Sequence, residues 1–308
     1  MIRVANAPVS WGVIEFDDRI GGGIPWVQVL DEMVETGYAG TELGELGFLP
    51  TDPMELLDVL SSRNLAMIGA FVPVDLRRPD AIAPGRSTAL GIAELIAAAA
   101  TPESAPGPFI VLSDDNGRDP VRTKHAGRVR SEMQLSAADW RSFLAGAHEI
   151  AHAVGEQTGL RTVFHHHSAG FVETPEEIRR FLAETDPDLI GIVFDTGHYV
   201  YGTGGAEHDL ALVVRDYAPR IRHVHFKDCH PTVAINARAN DHDYFEALRA
   251  GLFCELGDGE VDFAAVLTAL QDVDYSGWIV VEQDIFPGMG TPRESAQRNR
   301  EYLRTIGL

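Results

Sequence analysis

The chain has 308 residues, 45% hydrophobic and 23% charged, an ordinary globular composition able to bury a large core and free of disorder signals. Its 46 acidic against 25 basic residues leave a formal net charge of −21, which argues against a nucleic-acid partner, because that affinity is drawn from Lys and Arg neutralising phosphates. No apolar run is long enough to span a bilayer, residues 1–16 lack the pattern of a leader, and Cys229 and Cys254 alone make no bridge framework, so a cytoplasmic protein with free thiols is expected.

From the N-terminus onward, short β-rich runs alternate with amphipathic helical stretches. Strands are predicted over residues 3–9, 40–43, 66–74, 109–113, 161–167, 190–195, 221–226 and 278–282. Helices are predicted over 25–36, 53–63, 88–100, 137–158, 176–184, 209–217, 263–271 and 292–304. Eight units of about 38 residues predict one (β/α)8 TIM-barrel domain spanning 1–308. A doubly wound sheet would need spaced glycines after an early strand. Gly21-Gly22-Gly23 lacks that spacing and reads as a flexible loop. Thr174-Pro175-Glu176-Glu177 carries a reciprocal helix cap. An insertion at about 229–261 follows strand seven, with a short helix over 241–251, and is expected to form an ordered lid or wall.

In such a barrel the site lies at the carboxyl ends of the strands. Strand five ends His165-His166-His167, strand six Asp195-Thr196-Gly197-His198, strand seven His223-Val224-His225-Phe226-Lys227-Asp228, and strand eight Glu282-Gln283-Asp284. Residues two apart share a face, so His165 goes with His167 and His223 with His225. Four consecutive strand ends bearing His, Asp or Glu predict one shared divalent cation, since ionisable groups in a dry barrel need pairing. Imidazole with carboxylate suits Mn2+, Co2+ or Zn2+ better than Ca2+; Mn2+ or Co2+ is expected first, with Zn2+ and Mg2+ as alternatives. Lys227 reads equally as an acid/base aid on the ligand face or as an ion-pair partner of Asp228 or another carboxylate. Asn6, Trp11, Glu42 and His223 are candidate pocket-lining residues, with simple packing the stronger reading for Trp11. Asp114, Asp115, Arg118 and Lys124 read as a solvated loop. No serine has nucleophile-elbow context.

These residues resemble the xylose-isomerase-like barrels of sugar isomerases, epimerases and dehydratases and, within them, the inosose dehydratases. The likeness runs along nearly the whole chain, through Ala7-Pro8-Val9-Ser10-Trp11-Gly12, Gly40-Thr41-Glu42-Leu43-Gly44, the four strand ends above, residues 257–263 and residues 277–284. The resemblance implies metal ligands at Asp195, His225 and Glu282, with His198 beside the substrate. At the fourth place most isomerases and epimerases of the wider family carry a carboxylate, and here stands His165. That departure fits elimination better than two-base epimerisation.

The expected activity is metal-dependent dehydration of 2-keto-myo-inositol, a small neutral polyhydroxy ketone, to an unsaturated or diketo cyclohexane in inositol catabolism. Glu282, His198, Lys227 and His167 are the candidate acids and bases. An isomerase or epimerase using the same ion is the alternative. A nuclease of the endonuclease IV type would need a basic groove and further ligands, and a non-catalytic barrel would have lost ligands. A homo-oligomer is left open.

Overall fold

The computed structural model describes residues 1–12, 23–284 and 290–308. Most of the Gly21-Gly22-Gly23 segment therefore lies outside the described residues. The strands are β1 (Ile2–Asn6), β2 (Gly40–Glu42), β3 (Ala66–Val74), β4 (Phe109–Asp114), β5 (Arg161–His165), β6 (Ile190–Asp195), β7 (Ile221–Phe226), β8 (Asp228–Cys229), β9 (Phe253–Cys254) and β10 (Gly277–Val281). The helices are α1 (Trp26–Thr36), α2 (Pro53–Ser61), α3 (Pro79–Ala98), α4 (Pro120–His125), α5 (Ala137–Thr158), α6 (Pro175–Glu184), α7 (Thr196–Gly202), α8 (Leu210–Tyr217), α9 (Pro231–Ala239), α10 (Tyr244–Arg249), α11 (Phe263–Asp272) and α12 (Pro292–Thr305).

Eight strands close into a barrel in the order β1-β10-β7-β6-β5-β4-β3-β2, and every barrel pair is parallel. All eight predicted strands are there, with β2 one residue and β1 and β5 each two residues shorter than expected. β1 stops at Asn6 because Pro8, which has no N–H to give a ladder, opens a 3-10 turn over Pro8–Trp11. β5 stops at His165, where the next backbone turns to bond Val172 and Gly170. In the other direction, α3 begins at Pro79 rather than near residue 88. Pro84 lies inside this helix, and Gly85 lets it lie so close to β3 that a Cβ there would stand 2.5 Å from Val74.

Strand alternation divides the side chains into layers. Outward residues such as Ile110, Phe164, Phe194, Val224 and Ile279 join the large core between barrel and helices. Inward residues form a dry floor of two clusters, one around Ala5, Ile68, Trp278 and Val280 and one around Phe109, Val111, Val163 and Val193. Burying apolar side chains on both faces is the main stabilising term of such a barrel. No described helix is long and apolar enough to cross a membrane.

The segment after β7 is ordered. Asp228–Cys229 pairs antiparallel with Phe253–Cys254, and α9 and α10 lie between them. The two cysteines sit on opposite faces of this ladder, since Cys229 pairs with Phe253 and Asp228 with Cys254, and both thiols are free.

Candidate metal centre

Parity carries the site from strand to centre. Val163 faces inward on β5, so His165 and His167 do as well, while His166 packs outward against Phe194 and Tyr199. Val193 and Asp195 follow the same rule on β6, and Val280 with Glu282 at the end of β10. On β7 the outward residues are Val224 and Phe226, leaving His223, His225 and Lys227 inward. All seven of these inward polar side chains, from His165 to Glu282, are buried.

Four of them meet. His165 Nε2 lies 3.2 Å from His225 Nδ1 and 3.6 Å from Asp195 Oδ2. His225 Nδ1 lies 3.7 Å from Asp195 Oδ2 and 3.4 Å from Glu282 Oε1. Bonds of about 2.0–2.2 Å from one ion to imidazole and carboxylate place neighbouring donors about 3.0–3.5 Å apart, so these spacings fit a shared cation. Asp195 Oδ2 is buried with no hydrogen-bond partner among the described residues, whereas its Oδ1 accepts the His198 N–H at 2.8 Å and caps α7. One oxygen thus fixes the helix and the other is left for a ligand.

Behind the centre stands Glu42. Its Oε1 accepts from His223 Nε2 at 2.8 Å and from His225 Nε2 at 3.1 Å. Burial alone would raise the Glu42 carboxyl, but the neighbouring imidazoles hold it well below its usual range. Glu42, His223 and His225 form a second group whose donor atoms converge.

A cation faces the centre from the other side. Lys227 Nζ lies 3.2 Å from Glu282 Oε2, 3.2 Å from Asp284 Oδ2 and 3.4 Å from His198 Nε2. Burial disfavours its charge, yet Asp284 and Glu282 outweigh that and raise its pKa. Burial likewise works against Glu282, but the charges of His225 and Lys227 hold it down at about 2. Lys227 does pair with carboxylates, but not with Asp228, which accepts the backbone N–H groups of Cys229, Gly257, Gly259 and Val261 instead.

The His198 and His167 ring centroids lie 3.7 Å apart with the rings tilted by 36°. Both have pKa values driven well below 6.5, chiefly by burial, and then by His165 and Lys227 at His167 and by His167 and Lys227 at His198. His198 Nδ1 accepts the Ser168 N–H at 3.2 Å, which leaves Nε2 to carry the proton.

Two expected lining residues sit elsewhere. Asn6 follows inward-facing Ala5 and therefore points into the helical layer; its Oδ1 accepts from Ala7 N–H at 2.8 Å. Trp11 is 1% exposed, and its indole N–H is spent on Glu32 of α1 at 2.7 Å, which makes it a packing residue. Asp114 is also not solvated: it is buried at the end of β4 and accepts the Phe171 N–H at 3.1 Å. Arg118 is exposed as expected.

Three residues at the centre escaped sequence reasoning. The Tyr244 ring of α10 lies edge-on to His167 at 5.9 Å. Phe253 of β9 lies 4.8 Å from the His198 ring and 4.8 Å from Lys227 Nζ. Both come from the segment after β7 and form the wall over the Lys227 side. Phe71 of β3 faces His165 at 6.0 Å. Only the inward parity of 71 could have marked Phe71.

A family profile described as xylose isomerase-like TIM barrel matches residues 85–306. An inosose dehydratase of Geobacillus kaustophilus is 30% identical over 301 residues, covering 98% of this chain and 93% of the relative. One from Halalkalibacterium halodurans is 30% identical over 307 residues, with 97% and 95% covered. Among solved structures, the 3-keto-D-glucoside 4-epimerase of E. coli superposes with a TM-score of 0.68 at 18% identity, over 99% of this chain and 100% of that one. The IOLI protein with a binding zinc atom gives 0.68 at 15%, over 99% and 97%. Likeness at such identities speaks to the fold.

Proposed function

The chain belongs to the xylose isomerase-like TIM barrel family, and from that membership, its inosose dehydratase relatives and the centre at its barrel mouth we propose that it dehydrates 2-keto-myo-inositol in inositol catabolism. It is a carbon–oxygen lyase. The convergence of His165, Asp195, His225 and Glu282 on one point beside Lys227 carries the reading.

Those four residues would hold the divalent ion, with Mn2+ or Co2+ the first expectation from the donor set and Zn2+ or Mg2+ the alternatives. When bound, the ion supplies Lewis-acid polarisation of the substrate ketone. Glu282 is ionised and takes the proton from the carbon beside the ketone. Lys227, held as an ammonium, gives a proton to the hydroxyl on the next carbon, which leaves as water while the carbon–carbon double bond forms. Glu282 then returns its proton to Lys227 across their 3.2 Å contact, and both groups are restored. His198 offers Nε2–H to a substrate hydroxyl, and Phe253 keeps water from the Lys227 side.

Epimerisation through the same ion is the second reading. It needs bases on opposite faces of one carbon, and an imidazole at His165 stands where a second carboxylate would be. Incubation with 2-keto-myo-inositol decides between them: dehydration gives the ultraviolet absorbance of an unsaturated diketone, whereas an epimerised ketose leaves the spectrum unchanged.

A further inference from the structure

The Glu42 carboxylate approaches His225 from the side opposite the metal centre. His225 Nδ1 looks toward His165, Asp195 and Glu282, while its Nε2 lies 3.1 Å from Glu42 Oε1. An imidazole that ligates a metal through one nitrogen carries its single N–H on the other. A buried carboxylate is the strongest acceptor within reach, so the proton belongs on Nε2 and the lone pair on Nδ1, where an ion would take it. His223 makes the same bond to the same oxygen at 2.8 Å, and its Nδ1 has no partner among the described residues. The ring of Phe109 packs on the other side, 5.5 Å from His223. Gly69 of β3 leaves Glu42 its place, since a Cβ there would stand 3.4 Å from Oε1.

We propose that Glu42 is a positioning residue of the metal centre: it locks His225 in the Nε2–H form, places a fixed negative charge behind that ligand, and is itself held by His223. The His-Val-His spacing on β7 then has two distinct uses, one imidazole as ligand and one as anchor of the residue that orients it. This inference rests on the metal reading above. Carboxylates that orient a ligand imidazole typically contribute about 10–100-fold to metal affinity.

The test uses Co2+ as the probe on the full chain. Glu42→Gln keeps the shape and an oxygen that can accept both N–H groups, but loses the charge. It is expected to weaken Co2+ binding by about 10–100-fold in chelator competition, with the visible spectrum of the bound Co2+ retaining the same donor set. In the Zn2+-loaded protein, 15N spectra of the histidines should show His225 bound through Nδ1 with its proton on Nε2, and that N–H signal should move when Glu42→Gln removes the charge beside it. Glu42→Asp, which restores charge at shorter reach, should recover part of the affinity; should Glu42→Gln fail to fold, the aspartate variant and the wild-type tautomer decide. Wild-type affinity in Glu42→Gln, or a His225 bound to Zn2+ through Nε2, overturns the proposal. Asp195→Asn run in parallel separates the two ideas: if it too binds Co2+ normally the metal reading fails, and if it alone loses Co2+ only the role of Glu42 fails.

Discussion

His165 Nε2 and His225 Nδ1 face each other at 3.2 Å in a buried space, with Asp195 Oδ2 3.6 and 3.7 Å away. Each can turn a lone pair toward an ion between them, and His225 does so with its far nitrogen still donating to Glu42. Asp195→Asn keeps an oxygen to cap α7 but loses the charge on the oxygen that faces the centre. We expect metal content to fall from about one ion per chain to near zero, with turnover lost in step, while a buried cap worth about 1 kcal/mol survives. Elemental analysis and the diketone assay measure both. Undiminished turnover in excess chelator would sink the scheme.

Ion binding should also appear in stability, because three carboxylates, Glu42, Asp195 and Glu282, share one buried region. A ligand at a hundred times its dissociation constant stabilises the native state by about 2.7 kcal/mol. At about 2–4 °C per kcal/mol for large domains, Tm should rise by about 5 °C or more on adding Mn2+ or Co2+ to stripped protein. In Asp195→Asn the rise should vanish.

Lys227 is separable from the metal ligands. Lys227→Met removes the proton donor but none of the four converging donors, so metal content should hold while kcat falls by about 10²–10⁴-fold. Stability should fall too, since a buried ion pair that loses one partner costs about 3–5 kcal/mol. A variant that lost metal along with activity would instead make Lys227 part of the ion's support.

The centre was legible where local rules govern it. Parity along β5, β6 and β7 selects His165, Asp195 and His225 without any knowledge of the fold, because strand ends in a barrel all point to one mouth. The rule failed at Asn6 because β1 is short and each face carries one polar residue, Arg3 beside Ala5 and Asn6 beside Val4, so its phase shows only once Ala5 is seen inside. Lys227 found carboxylate partners, as one of the two sequence readings held, but Asp284 lies 57 residues away and only barrel closure joins them. Tyr244 and Phe253 were invisible for the same reason: their approach depends on how the segment after β7 folds back, which no periodicity encodes.

The carboxyl of Asp114 is pushed up to about 7 by burial, with the Phe171 and Asp115 backbone groups only partly offsetting it. In the unfolded chain it would titrate near about 3.9. Between those values the native state holds a proton that the unfolded state has released, so this group makes stability fall as pH rises and has no further effect above about 7. The slope is at most about 1.4 kcal/mol per pH unit. Asp114→Asn keeps an acceptor for the Phe171 N–H and cannot ionise. Its stability relative to wild type should therefore grow from about pH 5 to about pH 7, then level off. Denaturant titrations across that range check it, and a constant difference between the two proteins would contradict the assignment.

Asp228 fixes the wall that carries Tyr244 and Phe253. Its Oδ1 accepts from Cys229 N and Val261 N at 2.9 and 3.1 Å, and its Oδ2 from Gly257 N and Gly259 N at 2.8 and 2.9 Å. The loop can wrap this closely because residue 259 is glycine: a Cβ there would sit 2.2 Å from Oδ1. Asp228→Asn replaces one doubly bonded oxygen by an NH2 group, setting a donor against two donors. Each buried N–H left unpaired costs about 1–3 kcal/mol, so Tm should drop by several degrees. Because the same hairpin brings Phe253 to Lys227, KM should rise and kcat should fall in Asp228→Asn while metal content stays near one ion per chain. Gly259→Ala, which strikes the same contact from the other side, should reproduce that pattern; a drop in Tm with unchanged KM and kcat in both variants would mean that the wall is structural and takes no part in holding the substrate.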